Sequence, residues 1–141
     1  MEEQTVTPYL LYKDCDAMLG WLADAFSFEE VLRYTGEEGY VNHAEMKVGQ
    51  AGRIYMGDPG DDYQNPRDVG ETFGIYVLVD DVDAHFEHAR AAGAEITEEP
   101  VDQDYGHRRY SAKDPEGVHW FFAAPVKDVA PADWGAAVSA S

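Results

Sequence analysis

Asp14-Cys15-Asp16-Ala17 returns as Asp81-Val82-Asp83-Ala84 at an offset of 67 residues, and that return decides the fold. The same offset carries Tyr9 onto Tyr76, Leu19 onto Phe86 and Ala25 onto Ala92. Each quartet opens an amphipathic segment, and aspartate is a good helix N-cap. Behind the first, Met18, Leu19, Leu22 and Phe26 recur at spacings that line one helix face. Behind the second, Val82, Phe86 and Ala89 do the same, and Gly93 sits where a helix C-terminus turns.

The flanks repeat as well. Val6-Thr7-Pro8-Tyr9-Leu10-Leu11-Tyr12 and Phe73-Gly74-Ile75-Tyr76-Val77-Leu78-Val79 are β-rich runs just ahead of the helices. Pro8 marks the first as an edge strand. Three strands are predicted after the first helix: Glu30–Thr35, Val41–Val48 and Arg53–Gly57. Three more follow the second: Glu95–Thr97, Arg108–Ala112 and Val118–Ala123. The last two are joined by Asp114-Pro115-Glu116-Gly117, where proline fixes φ and glycine frees the end of the turn. Residues 58–71 carry turn chemistry without periodicity and read as a mobile linker. The pattern predicts an α+β fold of two tandem βαβββ modules within a single domain spanning 1–141. Module one covers 5–58, the linker 59–71, module two 72–124 and the tail 125–141. One helix per three strands excludes a doubly wound parallel sheet. In the tail, Pro131-Ala132-Asp133-Trp134 starts a short helix, with Trp134 free to pack on the body or on a partner.

The net charge is −18, from 28 acidic and 10 basic residues. Such a surface repels a phosphate backbone and an anionic membrane, so neither nucleic acid nor membrane is expected as a partner. Two readings of the acidity stand: steering of a cationic ligand, or general solvation of the surface. No apolar run reaches the ~20 residues of a membrane helix. The start, Met1-Glu2-Glu3-Gln4, lacks signal-peptide character, so a cytoplasmic location is expected. Cys15 is the only cysteine; flanked by Asp14 and Asp16, it reads as an unreactive small residue.

Four stretches then point to a family. They are Thr7-Pro8-Tyr9-Leu10, His43-Ala44-Glu45-Met46, Val79-Asp80-Asp81-Val82-Asp83-Ala84, and the block from Tyr105-Gly106-His107-Arg108 to Asp114-Pro115-Glu116-Gly117-Val118-His119-Trp120. Together, in order and in duplicate, they resemble the vicinal oxygen chelate superfamily of glyoxalase I, bleomycin-resistance proteins and extradiol dioxygenases, and within it a bacterial glyoxalase-like group. The resemblance covers roughly residues 5–124. It implies two modules forming a curled mixed sheet around a cleft, and a homodimer whose active form draws on both subunits.

Metal-dependent members of that superfamily place His, Glu or Gln on the first and last strand of each module. The resemblance aligns those positions to Thr7, Tyr55, Gly74 and Phe121. None is a ligand of the required type, and glycine and phenylalanine cannot coordinate at all, so neither metal nor other cofactor is expected. By strand alternation, Tyr9, Leu11, Tyr55, Tyr76, Leu78 and Phe121 line the cleft, an aromatic surface suited to a small molecule. Arg108 and Arg109 are adjacent and point to opposite faces. Whichever faces the cleft can grip an anionic group, and Arg108 is carried as the candidate. His43 with Glu45, and His119 beside Phe121, are the candidates for general-base work, against a plain structural role. His85 and His88 are expected to face solvent, and His107 to sit in a turn. Trp120 is expected to face its module's helix, and Trp21 to lie off the apolar stripe.

Three classes of function follow. The first is a metal-independent small-molecule-binding protein, in its sharpest form sequestering a cationic aromatic compound. The second is a metal-dependent glyoxalase-type lyase or dioxygenase, and the third a non-catalytic stress or regulatory accessory protein.

Overall fold

The computed structural model describes residues 3–139. Its elements run β1 (Tyr9–Leu11), α1 (Cys15–Phe26), β2 (Glu29–Thr35), β3 (Val41–Val48), β4 (Gly52–Gly57), α2 (Pro66–Val69), β5 (Gly74–Leu78), α3 (Val82–Ala91), β6 (Glu95–Asp102), β7 (His107–Lys113), β8 (His119–Pro125) and a 3-10 turn, Pro131–Trp134. The strands form two four-stranded mixed sheets, ordered β1-β4-β3-β2 and β5-β8-β7-β6, and neither closes. The fold is α+β with two tandem modules. Their correspondence extends to register: Tyr9 lies parallel to Tyr55 as Tyr76 does to Phe121. Among the described residues no helix is long and apolar enough to cross a membrane.

Both helices start where their aspartates place them. Asp14 accepts from the Ala17 amide and Asp81 from that of Ala84. Met18, Leu19 and Leu22 of α1 are buried together with Leu10, Met46, Ile54 and Met56 of the first sheet. Val82, Phe86 and Ala89 of α3 are buried with Val77, Tyr110 and Phe122 of the second. Each helix thus takes up one face of its sheet and leaves the other free of helix.

Aromatic rings join the modules behind the sheets. Phe26, at the end of α1, packs 4.7 Å from Phe122, and Phe28 packs 5.3 Å from Trp120, centroid to centroid. Trp120 is fully buried on the helix side, as alternation requires. Trp21, off the main stripe, meets Phe26 edge-on. His85 departs from the expected solvent position. Its Nε2–H donates to the Phe26 carbonyl, so Nδ1 accepts from the Tyr110 hydroxyl. Burial holds this imidazole below its ordinary value and keeps it neutral. His88 stays exposed and reaches the Asp24 carbonyl.

A second junction is polar. The fully buried Asp114 accepts four hydrogen bonds: from the Tyr12 hydroxyl (2.6 Å), Trp120 Nε1 (3.0 Å) and the amides of Glu116 and Val118. Burial raises its carboxyl above the usual range, while those four donors pull the other way. Two residues on, Glu116 accepts from the Lys13 and Asp14 amides at the mouth of α1, at 2.7 and 2.9 Å. The turn of module two therefore caps the helix of module one.

The same turn gives the linker at 59–71 local order. Asn65 and Asp68 form a capping box that winds α2, and Asn65 donates to Glu116. Arg67 donates to the carbonyls of Pro115 and Asp114. Gly117 lies at φ +93°, and a Cβ there would sit 2.7 Å from the Arg67 nitrogen. The segment was opaque because its order comes from side-chain caps and a distant turn rather than from an apolar stripe. Two strand limits also shift. The strand predicted from Val6 begins at Tyr9, and Val6 is 80 % exposed. β6 extends past Thr97 to Asp102 across two register shifts, an edge strand that tolerates Pro100.

Asp114→Asn is expected to cost about 3 kcal/mol, since an amide NH2 then confronts the buried Tyr12 and Trp120 donors. Urea unfolding measures the loss, and an unchanged midpoint would refute this account of the junction.

Candidate functional site

The helix-free faces carry the candidate residues, and they carry them in two groups. On module one, Tyr9 and Tyr55 meet edge-on at 6.2 Å. The Tyr9 hydroxyl lies 3.2 Å from His43 Nδ1, and His43 Nε2 lies 3.0 Å from Glu45. Arg53 donates to the other oxygen of Glu45 at 2.9 Å. The hydrogen bond from His43, joined by that from Arg53, holds the Glu45 carboxyl below its ordinary value. Glu45 and Tyr55, with Thr7 and Lys47, border a hollow of about 660 Å³. Leu11, on the same strand as Tyr9, is 41 % exposed.

On module two, Tyr76 stacks on Phe121 at 6.3 Å and an 18° interplanar angle. The Tyr76 hydroxyl meets Tyr105 Oη at 2.9 Å and His107 Nδ1 at 2.8 Å. Burial, followed by the Tyr105 contact, pushes the Tyr76 phenol well up. His119 also stacks with Phe121, at 4.4 Å. Leu78 lies further along β5 and is 57 % exposed. Leu78 and Tyr76 border a mainly apolar crevice of about 510 Å³ between β5 and the β3–β4 turn.

The predicted cleft residues thus divide. Tyr9, Leu11, Tyr55, His43 and Glu45 belong to one face; Tyr76, Leu78, Phe121 and His119 belong to the other. No ring contact joins the two sets among the described residues.

Arg108 does not belong with either set. It pairs with Asp83 and Asp102, on the side where α3 begins. The pleat turns its neighbour the other way: the Arg109 guanidinium lies 5.3 Å over the Phe121 ring, bonded to Glu98 and to the Tyr105 hydroxyl. The choice was fixed by which residue of β7 opposes β8. Tyr110 lies across from Phe122 and is buried with it, so Arg109 and Ser111 fall on the Phe121 side. Tyr105, His107 and Glu98 were not among the site residues expected from the sequence. His107 leads β7 rather than sitting in a turn.

A divalent metal does not fit the four positions where relatives of this kind would hold one. Thr7, Tyr55, Gly74 and Phe121 supply no imidazole or carboxylate. A Cβ on Gly74 would lie 2.6 Å from the Phe121 ring, so the phenyl fills the space a ligating side chain would need. Among the described residues, no three His, Cys, Asp or Glu side chains are grouped to hold a metal ion. Cys15 is no alternative, since burial pushes its thiol up to about 12.

The chain belongs to the Glyoxalase/Bleomycin resistance protein/Dioxygenase superfamily, whose family model matches residues 5–122. Similar proteins extend over nearly its full length. An uncharacterized protein of Mycobacterium bovis is 30 % identical over 132 residues, covering 90 % of this chain and 87 % of its own. The crystal structure of TioX from Micromonospora sp. ML1 superposes with a TM-score of 0.71 at 31 % identity, over 90 % of this chain and all of that one. The fosfomycin resistance protein FosX of Listeria monocytogenes shares the fold, with a TM-score of 0.64 at 20 % identity over 89 % of this chain and 96 % of its own.

Gly74→Ala is expected to displace the Phe121 ring at a cost of about 1–3 kcal/mol. In a Phe121→Ala background the same change should cost almost nothing. A double-mutant cycle in urea reads the coupling, and additive effects would show that ring and glycine do not share that space.

Proposed function

We propose that this protein is a metal-independent small-molecule binder of its superfamily, taking a planar aromatic cation on its helix-free faces. The observation that carries the reading is the pair Gly74 and Phe121: a ring that occupies a ligand position and stacks with Tyr76 and His119. A phenyl ring at that position offers an aromatic platform in place of a metal ligand. Flat rings presented edge-on and face-on suit a flat ligand. The −18 charge favours a cation over an anion, and exposed tyrosine faces add cation–π attraction. Resistance by sequestration, the activity named for part of the superfamily, needs no chemistry beyond this.

Each face by itself is half a site. Tyr9 is 49 % exposed and Tyr76 is 44 % exposed. A homodimer that sets the module-one face of one copy against the module-two face of its partner would enclose a ligand between them. This arrangement belongs to the proposal and rests on those exposed rings and on the two-subunit sites common in the superfamily.

The test is thermal unfolding with a panel of planar aromatic cations, bleomycin included, and size-matched anions. The melting temperature should rise with cation concentration, by about 2.7 kcal/mol of stabilisation at 100-fold excess over Kd. Tyr76→Ala and Phe121→Ala should abolish the rise. Equal shifts with anions, or shifts that survive both substitutions, would overturn the reading.

A further inference from the structure

A chain of hydrogen bonds crosses the end of the module-two face, made by the ring nitrogens of His119 rather than by the ring face that stacks on Phe121. His119 Nδ1 lies 3.1 and 3.3 Å from the two carboxylate oxygens of Glu71. His119 Nε2 lies 3.0 Å from Thr97 Oγ1, and Thr97 Oγ1 lies 2.7 Å from Ser111 Oγ. A carboxylate accepts from Nδ1, and the tautomer suited to a general base carries its hydrogen there and leaves Nε2 as the acceptor. The Thr97 hydroxyl therefore donates to Nε2, and Ser111 donates to Thr97. The imidazole is clamped by its stacking on Phe121 at 4.4 Å. Ser111 is buried, whereas Thr97 is exposed on edge strand β6. A carboxylate, an imidazole and an accessible hydroxyl stand in the order that activates an oxygen nucleophile.

We propose that Thr97 is an acyl-accepting nucleophile, with His119 as its general base and Glu71 as the positioning residue, and that the substrates are small activated esters. Thr97 Oγ attacks the ester carbonyl carbon while its proton passes to His119 Nε2. The carbon–oxygen bond to the leaving alcohol breaks, and that alcohol takes the proton from Nε2. Water, deprotonated by the same nitrogen, then attacks the acyl-threonine, releasing the acid and restoring the hydroxyl. No oxidant, reductant or metal enters the balance. The bonds described around Thr97 are taken up with its activation, which is why the substrate class is esters whose leaving groups depart readily. This activity goes beyond ligand binding and does not require the dimer.

The probe is p-nitrophenyl acetate on the intact protein, followed by release of p-nitrophenolate and by peptide mapping of the acetyl group. The wild type should carry a transient acetyl on the peptide holding Thr97. Thr97→Ala and His119→Gln should each lower turnover roughly 100-fold or more. Thr97→Ser should retain it, which separates loss of the hydroxyl from loss of the strand. Glu71→Gln should lower kcat with KM unchanged, and Glu71→Asp should recover part of it. Acetyl found only on lysines, or turnover unchanged in Thr97→Ala and His119→Gln, would overturn the proposal. Because the readout is acyl transfer, it can fail while aromatic cations still bind, and succeed when they do not.

Discussion

The carboxylate of Asp114 is the point on which the two halves of this molecule agree. It lies in the last hairpin of module two, yet it takes a proton bond from Tyr12 at the end of β1 and another from Trp120 in the core. A buried carboxylate is costly unless its lone pairs are filled, and here four donors fill them. Glu116 extends the arrangement by capping the first amides of α1 and holding Asn65 of the connecting segment. With the aromatic contact of Phe26 and Phe28 on Trp120 and Phe122, this fixes the modules from behind. The faces in front carry no helix, and Tyr9 and Tyr76 stay about half exposed there.

That division of labour explains where polar residues sit. On the helix side they are buried and satisfied: no buried side-chain nitrogen or oxygen lacks a partner among the described residues. On the open side, His43, Glu45 and Arg53 form one partly exposed network, and Tyr76, Tyr105, His107 and Arg109 form another. Their alternation with Ala44, Met46, Tyr110 and Ala112 is the period-two pattern of a strand with one dry face.

The repeat made the architecture readable. Two aspartate caps, two apolar stripes and an offset of 67 predict two modules, and the parallel partners Tyr9–Tyr55 and Tyr76–Phe121 repeat the same equivalence in register. The strand faces of Tyr9, Tyr55, Tyr76 and Phe121 followed from alternation. Arg109 did not, because choosing between adjacent arginines requires the pairing of β7 with β8. Glu71 and Asn65 were hidden for a different reason: they act across 48 and 51 residues of sequence, on His119 and Glu116, and no local period records such a contact. His85 looked solvent-facing from helix spacing alone, since the partner that covers it, Phe26, comes from the other module.

The proposed metal independence rests on the Phe121 ring, which fills the space beside Gly74. The most direct measurement is metal content and titration with Ni²⁺, Zn²⁺ and Fe²⁺ on protein prepared without a metal-affinity tag. The account predicts no stoichiometric binding and no change in melting temperature with any of the three ions. One ion bound tightly per chain, lost when Glu45 or His119 is replaced, would contradict it.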